Sequence, residues 1–192
     1  SRPSHEILQL LADRRIEAGV ATVPVEGLAG LAQRPLLRDP YVVVVPAGEP
    51  CPDFSAPRPD LPFLRYSPAQ HIGRQIEAQL TRLRANLPHR MSAESNQALM
   101  TLVAAGQGWT ITTATCFNRA RGLWAGLSLH PFPRAQFARE IALITVPGGA
   151  ESLAGMLETM LRALVQAHTI EPVHAQVPFL KQHFNMLNSD LS

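Results

Sequence analysis

Lysine is almost missing from this chain of 192 residues: Lys181 stands alone among 17 basic residues, and the rest are arginine. That skew reads as coding bias, and the formal charge of +2 is too small to argue for nucleic acid by charge alone. No run of ~18 apolar residues occurs, which leaves no expected membrane span. The opening SRPSHEILQLLADRR lacks the charged lead, apolar core and cleavage site of a secretory signal. It also lacks an initiator methionine, so the sequence reads as a fragment. Cysteine is scarce, and Cys51 and Cys116 stand apart, which suits a reducing compartment and a cytoplasmic protein. The seven histidines show none of the paired spacing of a zinc site. No phosphate-binding glycine motif is present, so neither metal nor cofactor is expected. What remains is a globular composition, 46% hydrophobic and 17% charged, of a size for one large domain or two small ones.

The stretch Ser92 to Thr115 organises the rest. Glu94-Ser95-Asn96 is rich in helix-capping groups. Ala98, Leu99, Leu102 and Val103 recur at helical spacing. Gly106 and Gly108 end that helix, and Trp109 to Thr115 suits a strand. Strand, helix, strand at this length implies parallel strands in an α/β fold, whose ligands bind beyond the carboxyl ends of the strands.

Around it the elements follow in order. A helix is expected over His5–Arg15 and a strand over Ile16–Val23. Residues 26–32 form a connection. A strand covers Leu36–Val45, and its run Tyr41–Val45 is apolar on both faces, as in a sheet covered on both sides. The proline-crowded Pro46–Pro62 reads as a linker or an irregular crossing. Phe63–Tyr66 reads as a short strand. Ser67-Pro68 opens a helix running to Arg84. A short helix is expected over Cys116–Leu123 and strands over Leu127–Phe132 and Glu140–Val146. The helix Glu151–His168 would turn Leu153, Met156, Leu157, Met160, Leu161, Leu164 and Val165 inward. Residues 169–192 form a tail, either one more amphipathic helix or a mobile end.

This order resembles the effector-binding (regulatory) domain of LysR-type transcriptional regulators, of the type 2 periplasmic-binding-protein class. Three stretches carry the resemblance. Leu11-Ala12-Asp13-Arg14-Arg15-Ile16-Glu17-Ala18-Gly19-Val20-Ala21 is similar to the family's L-x-x-G-x-L-D-x-A, and Arg34-Pro35-Leu36 then leads to the valine strand. Val103-Ala104-Ala105-Gly106-Gln107-Gly108-Trp109-Thr110-Ile111-Thr112-Thr113 is similar to V-x-x-G-x-G-I-A-x-L-P. A returning strand and a long helix close the match, which covers Ser4 to Gln166. Arg14 replaces the family's glycine and Glu17 its aspartate. Trp109, Thr110 and Thr113 replace small, aliphatic and proline residues, which makes the strand end more polar. The winged helix-turn-helix domain and the first strand-helix-strand of the first lobe are absent from this sequence.

The resemblance implies a two-lobed fold: residues 1–60 in lobe I, 61–139 in lobe II, 140–168 returning to lobe I, and 169–192 as tail. The crossings would lie near Asp60–Phe63 and Arg139–Ile141. A small-molecule effector would sit between the lobes and alter DNA binding by the attached domain, within a homodimer or homotetramer that has no membrane contact. Strand ends and helix starts favour an anion such as a carboxylate. The candidate contacts are Thr22 and Pro24 from lobe I, and Tyr66, Ser67, Glu94, Ser95, Asn96, Thr112, Thr113 and Thr115 from lobe II. Ser67 and Ser95 are either helix caps alone or caps that also touch ligand. Glu94 repels an anion, so it points away or selects an amine or hydroxyl. Tyr66 reads first as a packed aromatic. Two other classes stand beside this one. A transporter's solute-binding protein would need an export leader. An enzyme using Cys116 or His71 would need hydrogen-bond reach and an oxyanion hole, and no catalytic residue is assigned.

Overall fold

The computed structural model describes residues 3–24, 28–133, 137–148 and 151–188. Residues 26 and 27 of the expected 26–32 connection lie outside them, as do 189–192 of the tail. In chain order the elements are α1 (Ser4–Ala12), β1 (Ala18–Thr22), β2 (Ala32–Pro46), β3 (Leu64–Tyr66), α2 (His71–Arg82), β4 (Met91–Ala93), α3 (Asn96–Ala104) and β5 (Thr110–Thr113). They continue as α4 (Ala114–Asn118), β6 (Leu127–Pro131), β7 (Ala138–Thr145), α5 (Glu151–Val165), α6 (Glu171–Gln176) and β8 (Asn185–Met186). No helix among the described residues is long and apolar enough to cross a membrane.

The chain divides into two compact units, Tyr41–Phe137 and the segments on either side of it. The sequence places the first division after residue 60 and the structure places it twenty residues earlier. The reason is the valine run. Val42, Val43 and Val44 pair with β5 on one edge and β6 on the other, so they belong wholly to the second unit. The proline-crowded stretch is tied there too: Ala47 N–H donates to the Gly126 carbonyl at 2.9 Å and Gly48 N–H to Ser128 Oγ at 3.0 Å. The return falls at Phe137/Ala138, two residues before the expected start at Glu140.

In the first unit, antiparallel pairing runs β1–β7–β2–β8, using residues 32–40 of β2. Leu11, Ala21, Ala142 and Ile144 form a core on the α1 side, with Ile7, Leu8, Ile16 and Leu31 packed against it. Paired residues share a face, so Val20, Leu143 and Arg34 look the other way. Arg34 there bonds Glu158 of α5 at 3.1 Å. Arg162 reaches from α5 to the same carboxylate (2.9 Å), to the Pro35 carbonyl (2.6 Å) and to the Leu187 carbonyl (2.7 Å).

That network turns α5 in a way its apolar spacing does not foretell. Ala154 and Glu158 are buried, whereas Leu153, Met156, Met160 and Leu164 are 47–59% exposed. The sequence put those four on the inner side. They do form one stripe, but the ion pairs face inward and the stripe faces solvent. The tail is a built part of this unit. A π turn (Gln166–Ile170) leads into α6, then a 3-10 turn (Pro178–Gln182) leads into β8, and Ile170, Val173, Leu180 and Phe184 are buried.

In the second unit β3 and β4 are parallel, and a parallel bridge from Phe63 to Trp109 sets β5 beside β3. The lateral order is therefore β4–β3–β5–β2–β6, with β2 antiparallel to both neighbours. The expected parallel arrangement holds for β4, β3 and β5. Helix α2 starts at His71 rather than at Ser67-Pro68, because residues 67–70 close a turn in which Gln70 N–H donates to the Ser67 carbonyl (3.0 Å).

Three helices end alike. After α3, Gly106 has φ +74°, its N–H donates to the Val103 carbonyl (2.9 Å), and Gln107 N–H reaches the Leu102 carbonyl (3.0 Å). This pair of bonds is the Schellman motif, which needs a left-handed residue. After α1 and α2 the same bonds form around Arg14 (φ 53°) and Arg84 (φ 55°). The arginine at position 14 thus occupies a conformation made for glycine. Relieving a Cβ in that region is worth about 1–2 kcal/mol, offset by about 0.5–1 kcal/mol of glycine entropy. Arg14→Gly and Arg84→Gly are each expected to raise stability by up to about 1 kcal/mol. Urea unfolding midpoints check this, and a lowered midpoint for both would contradict it.

Candidate functional site

The carboxyl ends of β3, β4 and β5 carry eight of the ten candidate residues. Strand β3 ends at Tyr66 and passes to Ser67 in the turn before α2. Strand β4 passes through Glu94 and Ser95 to Asn96, the first residue of α3. Strand β5 ends in Thr112 and Thr113, and Thr115 follows in α4. Parallel strands with a helix after each one bring these termini to a common edge.

Hydrogen bonds knit that edge together. The Tyr66 hydroxyl donates to Asn96 Oδ1 at 2.7 Å and lies 2.6 Å from Thr112 Oγ1. A phenol carries one proton, so the consistent assignment has Thr112 donating to Tyr66. Asn96 Nδ2 in turn donates to the Cys116 carbonyl at 2.8 Å. Thr112 is fully buried and Tyr66 nearly so, so Tyr66 is the packed aromatic that the sequence suggests first. Ser95 caps α3, accepting from Ala98 N–H at 3.0 Å, and Thr113, also buried, accepts from Cys116 N–H at 3.4 Å as cap of α4. Ser67 N–H donates to the Ala93 carbonyl (3.0 Å), and its hydroxyl accepts from Ala69 N–H (3.4 Å).

The ten candidates therefore separate. Tyr66, Thr112 and Thr113 are buried supports. Ser67, Glu94, Ser95 and Asn96 keep solvent access, whereas the Thr115 hydroxyl is buried although the residue is half-exposed. Thr22 and Pro24 belong to the first unit. Thr22 ends β1 there, buried, with its N–H donating to Ser4 Oγ at 3.1 Å. Two residues on the edge escaped sequence reasoning. Gln70 donates its side-chain amide to the Glu94 carbonyl, and Cys116 contributes the carbonyl that orients Asn96. Both contacts join positions 20 or more apart, so no local pattern announces them.

Chemically, the edge offers short hydroxyls, one oriented amide, and the first N–H groups of α3, which have no partner within the helix. Such a set suits a small polar ligand with acceptor oxygens. Among the described residues no group of three or more His, Cys, Asp or Glu could hold a metal ion. Cys51 and Cys116 are not joined in a disulfide, and partial burial pushes the Cys51 thiol up from its ordinary value.

Removing the shared hydroxyl leaves Asn96 Oδ1 and the buried Thr112 Oγ1 with only their own long contact, Thr112 donating to Asn96 at 3.4 Å. Tyr66→Phe is expected to cost about 1–3 kcal/mol of stability. Thr112→Val in the Tyr66→Phe background should cost less than in the native chain, giving a coupling on the order of 0.5–3 kcal/mol in a double-mutant cycle of urea unfolding. Strict additivity would show that the three groups do not act as a unit.

Several solved structures superpose at low identity, which speaks for the fold alone. OxyR from Corynebacterium glutamicum matches with TM-score 0.67 and 21% identity over 92% of this chain. The alignment spans only 56% of that protein, so this chain corresponds to little more than half of it. A reduced form of OxyR from N. meningitidis gives TM-score 0.65 and 15% identity over 97% of this chain and 81% of that one. The effector binding domain of QuiR, solved in complex with shikimate, gives 0.60 and 15% over 88% and 80%. Among curated proteins, no sequence matches this chain. The family model for the LysR substrate binding domain matches residues 1–167, and the chain belongs to that family.

Proposed function

We propose that this chain is the part of a LysR-type transcriptional regulator that senses a small molecule, and that the effector is a hydroxylated carboxylate. The observation that carries the reading is the placement of Ser67, Ser95 and Asn96 at the carboxyl ends of three parallel strands, braced from beneath by the Tyr66–Asn96–Thr112 network. The shikimate complex of QuiR supports the ligand class, because that molecule combines a carboxylate with ring hydroxyls. The bound state then alters DNA binding by an attached winged helix-turn-helix domain. The shift can be no larger than the ligand's difference in affinity between the two states. The reading is of a cytoplasmic sensor with no catalytic step and no cofactor.

Calorimetric titration with shikimate and a panel of small carboxylates tests it. Ser95→Ala and Asn96→Ala are expected to weaken the best ligand by about 10-fold or more each, the worth of a hydrogen bond to a charged group. Circular dichroism melts separate this from the about 1 kcal/mol that the lost α3 cap itself costs. Native affinity in both variants would move the site elsewhere.

The reading also carries self-association, as homodimer or homotetramer. Its support in the first unit is the exposed Leu153, Met156, Met160 and Leu164 stripe, since contiguous apolar surface of this kind marks contact regions. Met156→Glu with Met160→Glu is expected to lower the sedimentation coefficient toward the monomer without lowering the melting temperature. An unchanged coefficient would exclude this stripe as the contact.

A further inference from the structure

The other end of the same strands holds a cavity that the effector reading does not use. It measures about 90 Å³ and lies in the second unit. Its floor is Phe63 and Trp109, where β3 and β5 begin, and its walls are Leu61, Leu87 and the proline-rich 52–62 segment. Tyr66 and Thr112 mark the opposite, carboxyl ends of these two strands. We propose that this cavity is a second binding site, and that its ligand is a small neutral molecule with one aromatic ring.

Size, surface and charge each narrow the class. An apolar cavity of ~150 Å³ takes benzene, so 90 Å³ admits no more than one ring, with part of it at the mouth. The two aromatic residues of the lining already pack together, Phe63 tilting against Trp109 at 4.7 Å, and Phe54, outside the lining, lies parallel to Trp109 at 5.2 Å. A further ring continues that arrangement. Trp109, 3% exposed, supplies the floor of the cavity with its indole ring.

The rim argues against an ion. Arg58 is engaged by Glu49 at 2.9 Å and by Asp60 at 2.6 Å. Arg90 leans on the Pro59 carbonyl at 3.4 Å, and the Asp53 carboxylate takes Ser55 N–H at 2.8 Å and Ser55 hydroxyl at 2.7 Å. Two guanidiniums and three carboxylates leave an ion of either sign little net attraction. Burying that ion against proline and aromatic carbon costs its hydration.

Phenol is the probe. In ¹H–¹⁵N spectra of the chain, the two indole N–H signals are assigned by Trp124→Phe. Phenol is expected to move the Trp109 signal along a saturating curve and to leave the Trp124 signal in place. Ala56→Phe, at an exposed position on the lining, plugs the mouth without entering the core and should abolish the shift. Leu87→Ala, which widens the wall, should instead tighten a larger ring such as 2-naphthol relative to phenol. Benzoate should bind several-fold more weakly than phenol. Shikimate should leave the Trp109 signal unmoved, so failure here and failure of the effector reading are separate events. A Trp109 signal that ignores phenol, equal movement of both indoles, or a shift that survives Ala56→Phe would each overturn the proposal.

Discussion

Everything in the second unit is hung on the backbone ladder of one strand. Residues 42–44 of β2 are paired on both edges, to β5 and to β6, and Val42 to Val45 are buried on both faces. A strand enclosed on four sides leaves no polar side chain room, which is why the sequence there is four successive valines. The same strand also contains Pro35 and Pro40, residues that a central strand normally excludes. Pro35 sits at the shift in register against β7, where the ladder is already interrupted, and its carbonyl is taken by Arg162. Beyond Pro40 the ladder resumes at once, with Tyr41 N–H donating to the Phe137 carbonyl at 3.0 Å.

The register of that ladder decides what the candidate site is made of. Tyr41 pairs with Thr113 and Val42 with Thr112. Side chains alternate along β5, so Thr110 and Thr112 share one face and Ile111 and Thr113 the other. Thr110 Oγ1 donates to the Leu64 carbonyl at 2.8 Å, while Thr112 meets the Tyr66 hydroxyl. A slip of one residue would bring Ile111 and Thr113 to that face. It would leave the Tyr66 hydroxyl without its threonine and Asn96 without a fixed orientation. The polar edge is thus a consequence of apolar pairing two strands away.

What could be read in advance follows from how local the cause is. The α3 ends were legible, because a capping serine at 95 and a left-handed glycine at 106 act within a few residues. The ends at Arg14 and Arg84 were not, since arginine gives no local sign of a left-handed backbone; only the family's glycine at position 14 hinted at it. Ser67-Pro68 carries the same residues as a helix start, but the turn bond from Gln70 to Ser67 wins and α2 begins at His71. The apolar spacing of α5 was visible, and its direction was not. Glu158 and Arg162 face inward because Arg34 and two backbone carbonyls, 25 to 127 residues away, wait for them. The hydroxyls of the candidate site were visible as a list. Their division into buried supports and accessible groups depends on contacts such as Tyr66 to Thr112, separated by 46 residues.

The two ends of β3 and β5 differ in chemistry for a reason built into the topology. Carboxyl ends lead into turns and helix starts, which bring unpaired N–H groups and the capping residues that serve them. The amino end of β3 receives the chain from the proline-rich stretch, which supplies carbonyls and apolar rings but few donors, and β5 starts beside it. Gly108 is where the second kind of end is closed. A Cβ there would stand 2.3 Å from the Pro62 carbonyl oxygen, the same oxygen that Trp109 N–H reaches at 3.0 Å. Only a residue without a side chain lets β5 start this close to the entry of β3. That approach holds Trp109 against Phe63 and sets the floor of the apolar end, while three residues further along the same strand Thr112 meets Tyr66. Strand β3 is only about 10 Å long at ~3.3 Å per residue, so one short rigid pairing fixes both the apolar and the polar end at once.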